Sequence, residues 1–181
     1  IEPQLAKANP PMAGDNTGDA TSTGSGSFAI GGGAATGSVN AATALGASST
    51  ATALAATALG YQATAIDVEA TALGYLANAS NSSATAIGDS ATASGGDATA
   101  IGSGARALAD SAIALGIETE ALGVSATALG DEATASDKNS IAIGTLATAS
   151  NSYAIALGDS AIASGETAMA LGGAANAAGM A

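Results

Sequence analysis

The chain has 181 residues, of which 52 are alanine and 25 glycine, with one phenylalanine, three tyrosines and no tryptophan. So little side-chain bulk excludes the self-sufficient core of an ordinary globular enzyme, and the lack of histidine and cysteine removes imidazole bases, thiolate nucleophiles, the usual zinc sites and any disulfide framework. A net charge of -12 excludes nucleic acid and anionic lipid as partners, while 48% apolar and only 10% charged residues exclude intrinsic disorder.

Residues 1–26, with Pro10-Pro11 and Gly14-Asp-Asn-Thr-Gly18, carry no repeat and read as a non-repeat lead-in or a degenerate first coil. The chain opens on Ile1 with no basic segment before an apolar run, so it reads as a mature fragment. The uncharged stretch from Ala41 to Ile66 is long enough to cross a bilayer. Its threonines and serines (Thr43, Ser48, Ser49, Thr50, Thr52, Thr57, Thr64) and few large aliphatics argue against a transmembrane helix.

From residue 27 to 181 one pattern repeats. Ser27-Phe-Ala-Ile-Gly31 is followed 15 residues later by Ala42-Thr-Ala-Leu-Gly46, which marks one inserted residue in the Gly32 to Asn40 connection. Copies then recur every 14 residues, from Ala56-Thr-Ala-Leu-Gly60 through Ala112-Ile-Ala-Leu-Gly116 and Ser140-Ile-Ala-Ile-Gly144 to Ala168-Met-Ala-Leu-Gly172, eleven in all. A weaker half-motif lies within each period, as in Ala91-Thr-Ala-Ser-Gly95 and Ala161-Ile-Ala-Ser-Gly165.

Fourteen is two heptads, but a coiled coil fails on three counts. A glycine in every period costs a helix about 1 kcal/mol relative to alanine. The large residues miss the a and d spacing, and charged e and g positions are missing. The segments instead alternate with period two and end in turn residues, which predicts strands of four or five residues. Two such strands per 14 residues describe an all-β, two-stranded parallel β-solenoid of 14-residue repeats.

Alternation assigns each column to a face. The third position of the main motif is alanine in every copy, Ala29 through Ala170, and the first is alanine or serine; both are expected inside, where only a methyl group fits between two close sheets. The opposite face carries Ile30, Leu45, Leu59, Leu73, Ile87, Ile101, Leu115, Leu129, Ile143, Leu157 and Leu171, beside a column running Phe28, Thr43, Thr57 and onward. The matching outward column of the second strand, Thr64, Asn78, Thr92, Arg106, Glu120 and Thr134, is polar. An unbroken aliphatic stripe is not left exposed in a soluble protein, and burying each side chain contributes about 1.5–3 kcal/mol. The eleven aliphatics are therefore expected to form a subunit interface, closed by cyclic association of identical chains.

The repeated [Ala/Ser]-x-Ala-[Ile/Leu]-Gly at a 14-residue period resembles the YadA-like head of trimeric autotransporter adhesins, over residues 27 to 179. The resemblance implies a left-handed parallel β-roll and a homotrimer. It also implies a non-enzymatic adhesin at the outer membrane and cell surface of a Gram-negative bacterium, binding host extracellular-matrix or cell-surface molecules through its polar outer sheets. Head, neck, stalk and barrel anchor are further parts that it implies. The repeat is still running near Ala181, in Ala175-Asn-Ala-Ala-Gly179, so the native protein is expected to continue.

No catalytic constellation, metal site or cofactor is expected. Serines are plentiful, but Lys138 is alone in a turn and nothing is placed to activate a hydroxyl. Glu118/Glu120 and Asp131/Glu132 are carboxylate pairs that read as solvated turn residues, and Arg106 as a solubility residue. Tyr61 and Tyr75 share a column one coil apart and are expected to stack as a ladder, with a ligand platform as the other reading. The repeat-end glycines read as turn backbone needing positive φ or close approach, not as a phosphate loop. A passive spacer and an ice-binding solenoid with ordered threonine columns are the rival functions; the aliphatic stripe beside the threonines argues against ice.

Overall fold

The computed structural model describes residues 20–179. Residues 84–97 show the repeating unit: the strand Thr85–Ile87, a turn at 88–91, the strand Thr92–Ala93, and a second turn at 95–98 that leads into the next coil. The strands run three and two residues, shorter than the four or five read from the sequence, because turn geometry already begins at the repeat-end glycine.

Each strand lies parallel on its counterpart in the coil before. β1 (Phe28–Ile30), β2 (Thr43–Leu45), β4 (Thr57–Leu59) and so on to β20 (Met169–Leu171) form an 11-stranded sheet; β3 (Thr50–Ala51), β5 (Thr64–Ala65) and so on to β21 (Asn176–Ala177) form a 10-stranded one. The register sets like on like, with Thr57 on Thr71, Ala58 on Ala72 and Leu59 on Leu73. The fold is thus an all-β parallel solenoid of about eleven turns, without a helix among the described residues. The uncharged Ala41–Ile66 stretch is strand and turn, and no helix among the described residues is long and apolar enough to cross a membrane.

Among the described residues, every buried apolar side chain is alanine. Ala44, Ala58, Ala86 and Ala100 of the first sheet meet Ala51, Ala65, Ala93 and Ala107 of the second with no solvent exposure. Two sheets this close leave room for one methyl layer, so the composition is a packing requirement. Where a hydroxyl replaces a methyl inside, it donates to a carbonyl: Ser49 to Gly46 (2.9 Å), Ser27 to Val39 (2.7 Å), Ser140 to Asp137 (2.5 Å) and Thr119 to Gly130 (2.5 Å). Each of these inward hydroxyls is thereby satisfied.

The repeat-end glycines meet both demands expected of them. Gly88 has φ 136°, and a Cβ there would stand 2.3 Å from the carbonyl oxygen of Gly102 in the next coil. Glycine is not the only residue held left-handed, however. The third residue of most turns also has positive φ, among them Gln62 (54°), Glu69 (58°), Leu76 (55°) and Tyr153 (59°). Such a conformation costs an L-residue roughly 1–2 kcal/mol. It is offset by coil stacking: the Gln62 N–H donates to the carbonyl of Ala47 at 2.9 Å, and the Glu69 N–H to that of Leu54 at 2.9 Å.

The one 15-residue interval resolves to a single position. Ala35 bridges Thr50, 15 residues on, whereas the Ala55 N–H donates to Asn40 in the ordinary relation of later coils. A Cβ on Gly37 would face Thr52, and one on Gly24 would face Val39. The extra residue is therefore Ser38, in a turn, where it leaves both sheets in register. Thr21 bridges Ala35, so stacking begins ahead of Phe28; the remainder of the 1–26 lead-in lies outside the described residues.

Candidate interaction surface

The eleven aliphatics all take the last position of their strands in the first sheet, directly after the inward alanine, and so point away from the methyl core. They are uncovered in the single chain: Leu45 is 37% exposed, Leu73 38%, Leu129 42% and Leu171 69%. Ile30, Ile87, Leu115 and Leu157 are half-buried by their neighbours in the column. Ile113, Ile141, Ile155 and Met169 broaden the apolar surface toward the C-terminal coils.

The second sheet is less uniformly polar than its threonine column led one to expect. Ile162 follows Thr148 in that column, and Ile66, Leu108 and Leu122 stand in the outward column beside it, which the sequence reading passed over. Arg106 is engaged: its guanidinium donates to the Glu120 carboxylate one coil on, forming the one ion pair among the described residues. Glu120 is a strand residue facing out, while Glu118 lies in the preceding turn, so the two are not a turn pair. The pair was legible, since 106 and 120 differ by one period. Between Thr64 and Thr92, Asn78 keeps a buried Oδ1 with no hydrogen-bond donor.

Tyr61 and Tyr75 stack at 5.4 Å between ring centroids. They stand on the edge formed by the first turn of each coil, where Leu76, Ile117 and Leu146 are also exposed. The opposite edge, formed by the second turn, exposes Leu54, Val68, Val124 and Tyr153. Asp131, Glu132 and Lys138 are exposed turn residues, and the Lys138 backbone N–H donates to Asp137 Oδ1 at 2.7 Å. Among the described residues, no three carboxylates converge as metal ligands would.

A β-solenoid of 14-residue coils with an alanine core, a glycine edge and an aliphatic outer column is thus in place. The YadA head domain repeat (2 copies) matches residues 40–63, 65–91, 93–119, 121–147, 138–161 and 163–180. The chain belongs to the YadA head family. The matches beginning at 65, 93 and 121 are each two coils apart, so the two-copy unit of the family falls on pairs of coils. No curated protein sequence matches this YadA-like head. Among solved structures it is similar to the collagen-binding domain of the Yersinia adhesin YadA, at 20% identity and a TM-score of 0.36, over 71% of this chain and 68% of that one.

Proposed function

We propose that this YadA-like head is a non-enzymatic adhesin module that works as a homotrimer on the bacterial outer surface. The aliphatic column from Ile30 to Leu171 would line the threefold axis, and the second sheet would face host extracellular-matrix or cell-surface molecules. The observation that carries this reading is the column itself: a large aliphatic in every coil, outward and uncovered. Exposed apolar surface running the length of a molecule marks an association site, and closed cyclic symmetry covers it in every copy. A threefold array of similar shallow sites also gains avidity without a deep pocket.

Light scattering on the purified chain tests the assembly. A trimer is expected, and a monomer at micromolar concentration overturns the reading. Leu129→Asp is expected to abolish the trimer and Thr134→Asp to leave it intact, since the two point from opposite sheets. Equal assembly of both would show that the first sheet is not the interface. Solid-phase binding to collagen, laminin and fibronectin then tests adhesion; a trimer that binds none of the three, nor host cells, is a spacer.

A further inference from the structure

Tyr61 and Tyr75 occupy the same turn position in successive coils, and their backbones are held there. The Leu76 N–H donates to the Tyr61 carbonyl at 2.9 Å, and the Ser90 N–H to the Tyr75 carbonyl at 2.8 Å. Parallel stacking sets such positions about 4.8 Å apart, and the rings follow, nearly parallel with centroids at 5.4 Å. Ala47 and Asp89 flank the pair in the same column, so the stack ends at two rings. Both rings are open to solvent, Tyr61 48% and Tyr75 52% exposed. In a chain without cysteine or tryptophan, phenols are the side chains that give up a single electron most readily. The third tyrosine, Tyr153, is exposed to the same extent, at 49%, but stands alone on the opposite edge, about 24 Å further along the stack.

We propose that Tyr61 and Tyr75 form an oxidative cross-linking site, at which hydrogen peroxide and a haem peroxidase join the two rings into a dityrosine staple between neighbouring coils. Each phenol gives up one electron and one proton, and the two tyrosyl radicals form a carbon–carbon bond between ring positions ortho to the hydroxyls. The two hydrogens on those carbons then move by way of solvent to the oxygens, which restores both phenols. The pair has lost two hydrogen atoms in all, and the peroxide takes up these two electrons and two protons to leave as two waters. Position directs the coupling, because radicals held one coil apart react within one molecule, whereas separate molecules at micromolar concentration seldom meet. Bond formation needs a side-chain rotation that brings ring edge to ring edge, and the open turn edge leaves room for it. The bond closes the chain between residues 61 and 75, and so constrains the unfolded state as a disulfide would in a chain that had cysteines.

Peptide masses read the link directly. Trypsin cuts after Lys7, Arg106 and Lys138, which places Tyr61 and Tyr75 in fragment 8–106 and Tyr153 in fragment 139–181; a glutamyl endopeptidase cuts after Glu69, between the two stacked tyrosines. After treatment of the whole protein with hydrogen peroxide and a haem peroxidase, fragment 8–106 is expected to show dityrosine fluorescence and to be two hydrogens lighter. Peptides 3–69 and 70–118 are expected to stay joined, the chain to keep its monomer mobility on a denaturing gel, and the thermal unfolding midpoint to rise. Tyr61→Phe and Tyr75→Phe are each expected to abolish the link, and Tyr153→Phe to retain it. Methionine sulfoxide adds oxygen, so its mass tells it apart. Covalent oligomers, a link that includes fragment 139–181, or sulfoxide as the sole product would overturn the assignment of the site. A link that forms and leaves the midpoint unchanged would show that it does not staple the coils.

Discussion

Tyr61 and Tyr75, one period apart on the first-turn edge, lie with ring centroids 5.4 Å apart and ring planes inclined by only 10°. The coil stacking brings the rings to this distance, and an offset stack adds about 0.5–1.5 kcal/mol to the area buried. A double-mutant cycle with Tyr61→Ser and Tyr75→Ser, read by thermal unfolding at one protein concentration, is expected to return a coupling in that range. Additive effects would mean that the rings are neighbours without holding the coils together.

Glycine is required at the repeat end and optional elsewhere. Gly88→Ala would drive a Cβ to within 2.3 Å of the Gly102 carbonyl oxygen from a backbone at φ 136°, and is expected to cost about 3 kcal/mol or more. Gly96→Ala meets only the Asp110 carboxylate oxygen, at 3.6 Å, with no left-handed backbone to oppose it. Its effect on denaturation is expected to stay within about 0.5 kcal/mol.

The methyl layer admits no larger group. Ala100 has no exposed surface and lies between Ala86 and Ala114 in its own column. Ala100→Val is expected to destabilise by about 1–3 kcal/mol, since the two added carbons must separate the sheets. Chemical denaturation checks this, and an unchanged midpoint would show that the sheets have slack.

One outward position is improvable. Asn78 interrupts a threonine run with a buried amide oxygen that accepts no hydrogen bond. Asn78→Thr removes the unsatisfied acceptor and supplies a β-branched residue, and is expected to raise stability by about 1 kcal/mol. No gain on thermal unfolding would show that the amide finds a partner in solution.

Much of this architecture could be read from the columns. The all-alanine column from Ala44 to Ala170 and the aliphatic column from Leu45 to Leu171 assign inside and outside without coordinates, because a side chain's face in a strand follows parity alone. The glycine column was legible for the same reason. The left-handed third turn residues were not: Gln62, Leu76, Glu69 and Tyr153 share no chemistry, because backbone bonds to the neighbouring coil hold that conformation. Strand length was overestimated because Gly88 and its equivalents already turn while the motif still looks extended. At the candidate surface, the Arg106–Glu120 pair follows from the same columns, in which the two are successive outward members one period apart, although Arg106 reads as a solubility residue when taken alone. The apolar turn residues, Ile117 and Val124 among them, escaped notice because they recur at no fixed period and each looks incidental within its own turn.

Ser38 shows how such a molecule changes over time. An extra residue is absorbed there because it falls in a turn, whereas the same insertion between Ala86 and Gly88 would reverse which side chains face the methyl layer. Since consecutive coils present nearly the same alanines and glycines to one another, a whole coil removed or duplicated rejoins to an equivalent surface. The reach of the head is therefore adjustable by recombination between its own repeats, in steps of 14 residues and about 4.8 Å, while the cross-section stays unaltered.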